Sequence, residues 1–372
     1  MIWVVLLVCI TYAVLILGLA FGIHRIPNQH LIRLTPKTHF SIIVPFRNEA
    51  QRMEDLLNSL LSLNYPNTLF EVIFVDDAST DHSQDLINQH LDQKINFNIV
   101  ENQRSSISPK KDAITTAVQT AKGNFIITTD ADVSLPANWL SHFDALLQKE
   151  QPVMIVAPVT LSYDPSQWVS IYDALDFLSL QGVTMGSFGF GKPLMCNGAN
   201  LGYDKKAFLE IHGFEGNANI ASGDDVFLLQ KFLSHGKKIS YLNAIEATVS
   251  TPTVSSFSAF TQQRKRWAAK TSSYTLWFPK FTGLIVLLMN VSLIGLFVTA
   301  FFWSRLWIFL GYFFLIKSLA DQLLLFRAAQ QLGQQDLFKH QWKIILFHPF
   351  ITIYVALSSF LGYSWKGRTF KH

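Results

Sequence analysis

The chain has 372 residues, of which 49% are hydrophobic, 13% aromatic and only 15% charged. Soluble enzymes carry about 25% charged residues, so an ordinary soluble enzyme is excluded, as is a disordered chain, which needs low hydrophobicity. The net charge of +4 splits into −3 over residues 1–274 (21 Lys+Arg against 24 Asp+Glu) and +7 over residues 275–372 (9 against 2). The polar middle therefore carries no basic stripe, and nucleic acid is not a partner.

The first predicted element is the uncharged run Ile2–Ile23, close to the ~20 residues that cross a bilayer core. No Lys or Arg precedes it and no small-x-small cleavage site follows, so it reads as an uncleaved anchor over residues 1–24. His24, Arg25, Arg33 and Lys37 follow, which puts the next segment in the cytoplasm. Cys9 lies in this run and Cys196 is alone, so neither a disulfide framework nor a thiolate zinc site can form.

Residues 40–45 (FSIIVP) form a short apolar strand, and 52–63 place leucines on one helix face. A second strand over 70–75 runs into Asp76 and Asp77. A helix at 83–91, a strand at 97–100, a helix at 113–121 and a strand at 124–128 come next, the last ending in Asp130-Ala131-Asp132. Such alternation predicts βαβ units and a mostly parallel sheet. Ligands of open sheets bind beyond the carboxyl ends of the strands. Here those ends carry Arg47-Asn48-Glu49, Asp76-Asp77 and Asp130-Ala131-Asp132, so the acids converge on one edge.

Asp130 and Asp132 are one residue apart and face the same side of an extended chain. Mg²⁺ or Mn²⁺ takes one or two carboxylates and completes its shell with substrate phosphates. An acidic turn capping the next helix is the plainer alternative. Gly186 to Lys192 matches G-x-x-x-x-G-K, but Pro193 stands where a phosphate loop needs Ser or Thr, and a loop is expected there. The histidines show no metal-ligand spacing. Apolar stretches at 281–303, 306–326 and 344–363 predict about three C-terminal spans, with Lys317 and Asp321 paired on one face of the second. The tail residues Lys366, Arg368 and Lys371 oppose a four-span topology, and a re-entrant last segment would relieve that conflict.

Five motifs in order resemble membrane-bound family 2 glycosyltransferases: 43–49 (IVPFRNE), 75–81 (VDDASTD), Asp130-Ala131-Asp132, Gly223-Asp224-Asp225, and 263–267 (QRKRW). The resemblance covers residues 41–267. It implies a GT-A fold, an α/β Rossmann-like sheet, that uses a nucleotide-diphosphate sugar linked to UDP or GDP and inverts the anomeric centre. By similarity, Pro45, Arg47, Asn48 and Glu49 line the nucleotide pocket, and Asp76 or Asp77 contacts base or ribose. Lys110 matches the lysine of a G-K-A-x-A-L segment whose glycine is Pro109 here. Asp130 and Asp132 match the metal pair. Asp225 matches the general base, and Asp224 replaces the family's glutamate. Gln263, Arg266 and Trp267 match the Q-x-x-R-W residues, with Trp267 at the acceptor and Arg266 or Gln263 near the diphosphate.

The chemistry needs these residue types. A departing diphosphate gathers negative charge that a cation stabilises, and the acceptor hydroxyl must lose a proton to a carboxylate within reach. The resulting domain plan is an anchor (1–24), a GT-A domain (38–255), an interfacial helix (256–280) and C-terminal spans (281–365). Four spans are few for a polymer channel, which favours a lipid or lipid-linked acceptor over a growing glycan made by a processive polysaccharide synthase. A membrane scaffold that binds nucleotide sugar without turnover is the reading from another class, and the intact acids oppose it. The implied location is the bacterial inner membrane with the catalytic domain in the cytoplasm.

Overall fold

A computed structural model of the chain describes residues 2–30, 34–365 and 368–370. Arg33, Lys366 and Lys371, used above for sidedness, lie outside the described residues. The contacts divide the chain into two units. One comprises Pro27–Ser162 and Met195–Pro252; the other comprises Met1–Ile26, Tyr163–Leu194 and Thr253–His372.

The chain begins with α1 (Ile2–Ile23), β1 (Phe40–Phe46), α2 (Glu54–Leu61), β2 (Phe70–Asp76), α3 (Ser83–Leu91) and β3 (Phe97–Glu101). It continues with α4 (Pro109–Thr120), β4 (Phe125–Thr128), α5 (Trp139–Glu150), β5 (Met154–Val156), β6 (Val159–Ser162) and α6 (Trp168–Gly189). After these come β7 (Leu201–Asp204), α7 (Lys205–Glu210), α8 (Asp224–Ser234), β8 (Ile239–Tyr241), β9 (Val249–Pro252) and α9 (Phe257–Ala269). The last helices are α10 (Trp277–Ala300), α11 (Leu306–Gln331), α12 (Gln335–Phe338), α13 (Trp342–Ile345) and α14 (His348–Ser358).

In the first unit a seven-stranded sheet has the order β3-β2-β1-β4-β7-β5-β8. β1 pairs in parallel with β2 and β4, and β2 with β3; β7 runs antiparallel to β4 and β5. All of β2, and all of β1 except Pro45, is buried. Helices cover both faces of such strands, so they read as unbroken apolar runs rather than alternating ones. The register aligns Phe46 with Asp76, which brings the ends of β1 and β2 level. The chain passes from β1 to β2 on one side, while β4 lies on the other. That reversal is the switch point where open sheets leave a crevice. α4 begins four residues before the predicted 113, because Pro109 at its first position carries a pre-set helical φ.

In the second unit, α1, α10 and α11 are long and apolar enough to cross a membrane. The 22 residues of α1 span about 33 Å. Trp3, Leu7, Val14 and Phe21 are exposed on it, which suits lipid contact. The sequence predicts about three C-terminal spans, and among the described residues two C-terminal helices are long enough to cross, with a shorter apolar helix after them. The third run is broken: α13 ends at Ile345 and Pro349 opens α14. Proline cannot continue a helix through its own position but fits the first turn. The 11 residues of α14 reach only about 16 Å, short of the ~30 Å hydrocarbon core.

α6 packs on α1 through glycines. A Cβ on Gly186 would stand 2.2 Å from the Leu19 carbonyl oxygen, and one on Gly22 would stand 2.3 Å from the Gly186 carbonyl oxygen. Gly186 to Gly189 therefore belong to a helix and not to the expected loop, because glycine here serves close backbone approach. We expect Gly186→Ala to cost about 1–3 kcal/mol, since no rotamer change relieves a clash with backbone. Thermal unfolding in detergent, compared with the neutral control Gly191→Asn, measures it; Gly191 has open space and a left-handed φ of +64°.

Ionic groups thread the same unit. Lys317 pairs with Asp321 as its spacing predicts, and the Tyr12 hydroxyl of α1 donates to the other Asp321 oxygen. His348 Nε2 lies 4.0 Å from Asp176 Oδ1, and Arg264 bonds both Asp173 and Asp176.

Candidate active site

The loops after β1 and β2 lock together. Asn48 sits at φ +53° and Ala78 at φ +59°. The left-handed region suits Asn but strains Ala, which surrounding bonds must offset. The Asn48 N–H donates to Ser79 Oγ (3.1 Å), and Asn48 Oδ1 accepts from the Thr80 N–H (2.7 Å). The buried Glu49 donates its N–H to Ser83 Oγ (3.0 Å).

Asp76 and Asp77 divide the work. Both Asp76 oxygens shape the turn, accepting from the Ser79 N–H (2.9 Å) and from Gln84 Nε2 (2.6 Å). Asp77 faces a polar cluster instead. Its Oδ1 accepts from Asn102 Nδ2 (2.8 Å) and lies 3.5 Å from Arg104, and its Oδ2 lies 3.9 Å from Arg47. Arg104 also pairs with Asp112 at 3.0 Å.

The second cluster forms around Lys110, in the first turn of α4. Its Nζ donates to Asp130 Oδ1 (2.6 Å) and lies 3.5 Å from Asp224 Oδ2. A cation is disfavoured at a helix N-terminus, so the acids must hold it there. Burial by itself would lower the Lys110 pKa, but the charges of Asp130, Asp224 and Asp225 outweigh it and keep the ammonium well above the ordinary lysine value. Asp224 and Asp225 open α8, where the same dipole favours carboxylates. Gly223 precedes them at φ +83°, a conformation glycine adopts without strain.

Asp130 follows β4 and Asp132 lies in the turn after it; both remain partly exposed while Ala131 between them is buried. Among the described residues no three His, Cys, Asp or Glu side chains gather as a metal cage. Two accessible carboxylates nevertheless fit a hard divalent cation that draws its remaining ligands from phosphate and water. A zinc-type site, which needs more protein ligands, does not fit.

The structure thus brings Arg47, Asn48 and Asp77 together, and likewise Lys110, Asp130, Asp224 and Asp225. Asn102 joins the two groups, since its Nδ2 also donates to the Pro109 carbonyl (3.0 Å), one residue before Lys110. Gln263, Arg266 and Trp267 lie on α9, in the other unit.

Sequence reasoning missed Asn102, Arg104 and Gly198. A Cβ on Gly198 would stand 2.9 Å from Asp224 Oδ2 and 3.1 Å from Lys110 Nζ, so a side chain there would push those two groups aside. The Asn197-Gly198 pair is a turn signal, but nothing local marks it as the wall of a site. Asn200, fully buried nearby, donates to the Pro158 (2.8 Å) and Ala247 (2.9 Å) carbonyls and accepts from Trp139 Nε1 (2.9 Å).

Residues 41–211 match the family model described as glycosyl transferase family 2. The match runs from β1 through α7 and ends before the Asp224–Asp225 pair. Poly(ribitol-phosphate) beta-N-acetylglucosaminyltransferase TarS of Staphylococcus aureus is 36% identical over 93 residues, 25% of this chain and 16% of that protein. The beta-monoglucosyldiacylglycerol synthase of Nostoc is 26% identical over 148 residues, 37% of this chain and 32% of that protein. The chain therefore matches about a third or less of the length of these relatives. A mannosyltransferase from Pyrobaculum calidifontis, solved with GDP-Man and Mn²⁺, superposes with a TM-score of 0.51 at 17% identity, over 95% of this chain and 98% of that one. Fold and match together define a GT-A-like α/β sheet whose residues 41–211 match the glycosyl transferase family 2 model, accompanied by helices long and apolar enough to cross a membrane.

Proposed function

We propose that the protein is an integral-membrane, inverting glycosyltransferase that moves a sugar from a nucleotide diphosphate to a lipid or lipid-linked acceptor at the cytoplasmic face. The observation that carries this reading is the Lys110–Asp130–Asp224 cluster at the carboxyl ends of parallel strands. A partly buried ammonium held between carboxylates at a switch point suits a departing diphosphate. The diacylglycerol named in the Nostoc relative and the three apolar helices support a lipid acceptor.

In this reading Asp77, with Arg104 and Asn102 beside it, meets the base or ribose. Asp76 serves the turn. Pro45, Arg47, Asn48 and Glu49 shape the nucleotide pocket. Asp130 and Asp132 hold Mg²⁺ or Mn²⁺, and such a cation supplies charge stabilisation to the leaving diphosphate. Lys110 adds a second positive charge on that side and keeps Asp130 and Asp224 in place. Asp225 accepts the proton of the attacking hydroxyl. Trp267 serves the acceptor, and Arg266 or Gln263 the diphosphate.

The test incubates purified protein with radiolabelled UDP- and GDP-sugars, Mn²⁺ and extracted bacterial lipids, then partitions the products into organic solvent. Nucleoside diphosphate release with label in the organic phase is the expected result. Label in a high-molecular-weight aqueous product would instead assign a polymer acceptor, as the TarS name describes for that protein. Nucleotide binding without release from any sugar nucleotide would overturn the enzyme reading.

A further inference from the structure

Lys110 and Lys111 are neighbours at the start of α4 but serve different partners. Lys111 is only 1% exposed. Its Nζ donates to the carbonyl oxygens of Asn217 (2.7 Å) and Ile220 (2.9 Å) and lies 4.9 Å from the Phe227 ring centroid. The Ser108 hydroxyl adds a third tie, donating to the Ala221 carbonyl (3.0 Å).

These contacts fasten the loop over residues 212–223, which delivers Asp224 and Asp225. The loop has little regular structure to hold it. His212, Gly213, Gly216 and Gly223 all take left-handed backbone angles, and its tip at Gly216, Ala218 and Asn219 is exposed. Its far end is tied by Lys231, whose Nζ donates to the Gly213 (2.9 Å) and Glu215 (3.0 Å) carbonyls. Phe227, against which the Lys111 ammonium rests, lies on the first turns of α8 with the acids. A desolvated ammonium over an aromatic face is worth more than an exposed one, and it ties the Asn217 carbonyl, which also accepts from the Ile220 N–H (3.1 Å), to that of Ile220.

We propose that Lys111 is a positioning residue for sugar transfer. It fixes loop 212–223, and through it the Asp224–Asp225 pair, at the separation from Asp130 that Lys110 spans. One short stretch of α4 then sets both sides of the reaction: Lys110 on the diphosphate side and Lys111 behind the proton acceptor. The inference rests on the preceding reading of Asp225 as that acceptor. It assigns Lys111 no contact with substrate.

The test compares Lys111→Met and Lys111→Arg in full-length protein, by kcat for transfer, by nucleotide Kd from calorimetry, and by thermal unfolding. Misplacing a reacting group by an ångström costs about 100-fold, so Lys111→Met should lose about that factor in kcat. Nucleotide Kd should change far less than kcat, because the described bonds among Asp77, Asn102, Arg104 and Asp112 lie outside the loop. Lys111→Arg, which keeps charge and donors, should recover most of kcat. Should Lys111→Met fail to fold, Ser108→Ala decides on the same terms, with a severalfold loss of kcat and a far smaller change in Kd. A kcat that stays at the wild-type value, or kcat and nucleotide affinity falling in parallel, overturns the proposal. A wild-type protein that transfers no sugar removes the glycosyltransferase reading and this inference with it. Transfer that survives Lys111→Met but not Asp225→Asn removes this inference alone.

Discussion

Asp225→Asn is expected to cut sugar transfer by about 10²–10⁴-fold, the usual contribution of a general base, while nucleotide binding persists. Asparagine keeps the volume of the side chain and an oxygen that can accept the Val226 N–H bond, 2.7 Å long in the wild type. It cannot take a proton. Asp224→Asn should do less to proton transfer, because the Asp224 charge faces Lys110 at 3.5 Å. Its loss should instead loosen Lys110 and raise KM for the donor. Measuring kcat at saturating donor, and Kd for the nucleotide separately, tells the two apart. Turnover unchanged in Asp225→Asn would remove the base assignment.

Arg264→Met should be the most damaging change to folding, by about 3–5 kcal/mol, the cost of orphaning a buried ionic partner. The guanidinium is 7% exposed and bonds Asp176 through Nε (2.6 Å) and Asp173 through a terminal nitrogen (2.7 Å). It also stands over the rings of Phe260 (4.5 Å) and Trp267 (4.3 Å) and donates to Gln263 Oε1. Asp173, itself 1% exposed, would be left with the Val254 N–H and no cation bonded to it. Burial pushes the Asp173 carboxyl above its usual value even with Arg264 attached. The folded state therefore binds this proton more tightly than the unfolded chain does, and the loss in Arg264→Met should shrink as pH falls and the orphaned carboxylate takes up a proton. The double variant Arg264→Met/Asp173→Asn should recover part of it. Thermal unfolding in detergent across pH measures both, and a loss that ignores pH would show that packing, not the orphaned charge, is responsible. Arg264→Lys should not substitute fully, since an ammonium lacks the planar fork that reaches two carboxylates.

Much of the candidate site was legible because it rests on local signals. Apolar runs buried on both faces fixed β1, β2 and β4, and their polar endings located Arg47, Asp77 and Asp130 at one edge. The Lys317–Asp321 pair followed from helical spacing. Tyr12, the third member of that contact, did not, since it is separated by 309 positions from Asp321. Chain distance also hid the choice between Asp76 and Asp77. Both follow the same strand, and only Gln84 and Ser79 on one side and Asn102 and Arg104 on the other divide their roles.

Composition and periodicity alone settled that this chain joins apolar helices to a mostly parallel α/β sheet with acids at its carboxyl edge, because each of those features is written in neighbouring residues. The fold decided the rest. It turned glycines that read as a loop into the face of α6 against α1, cut the last apolar run at Pro349, and set Lys110 among three acids drawn from distant segments. Close approach and charge balance of this kind depend on which backbone stands opposite, and residues far apart in the chain supply it.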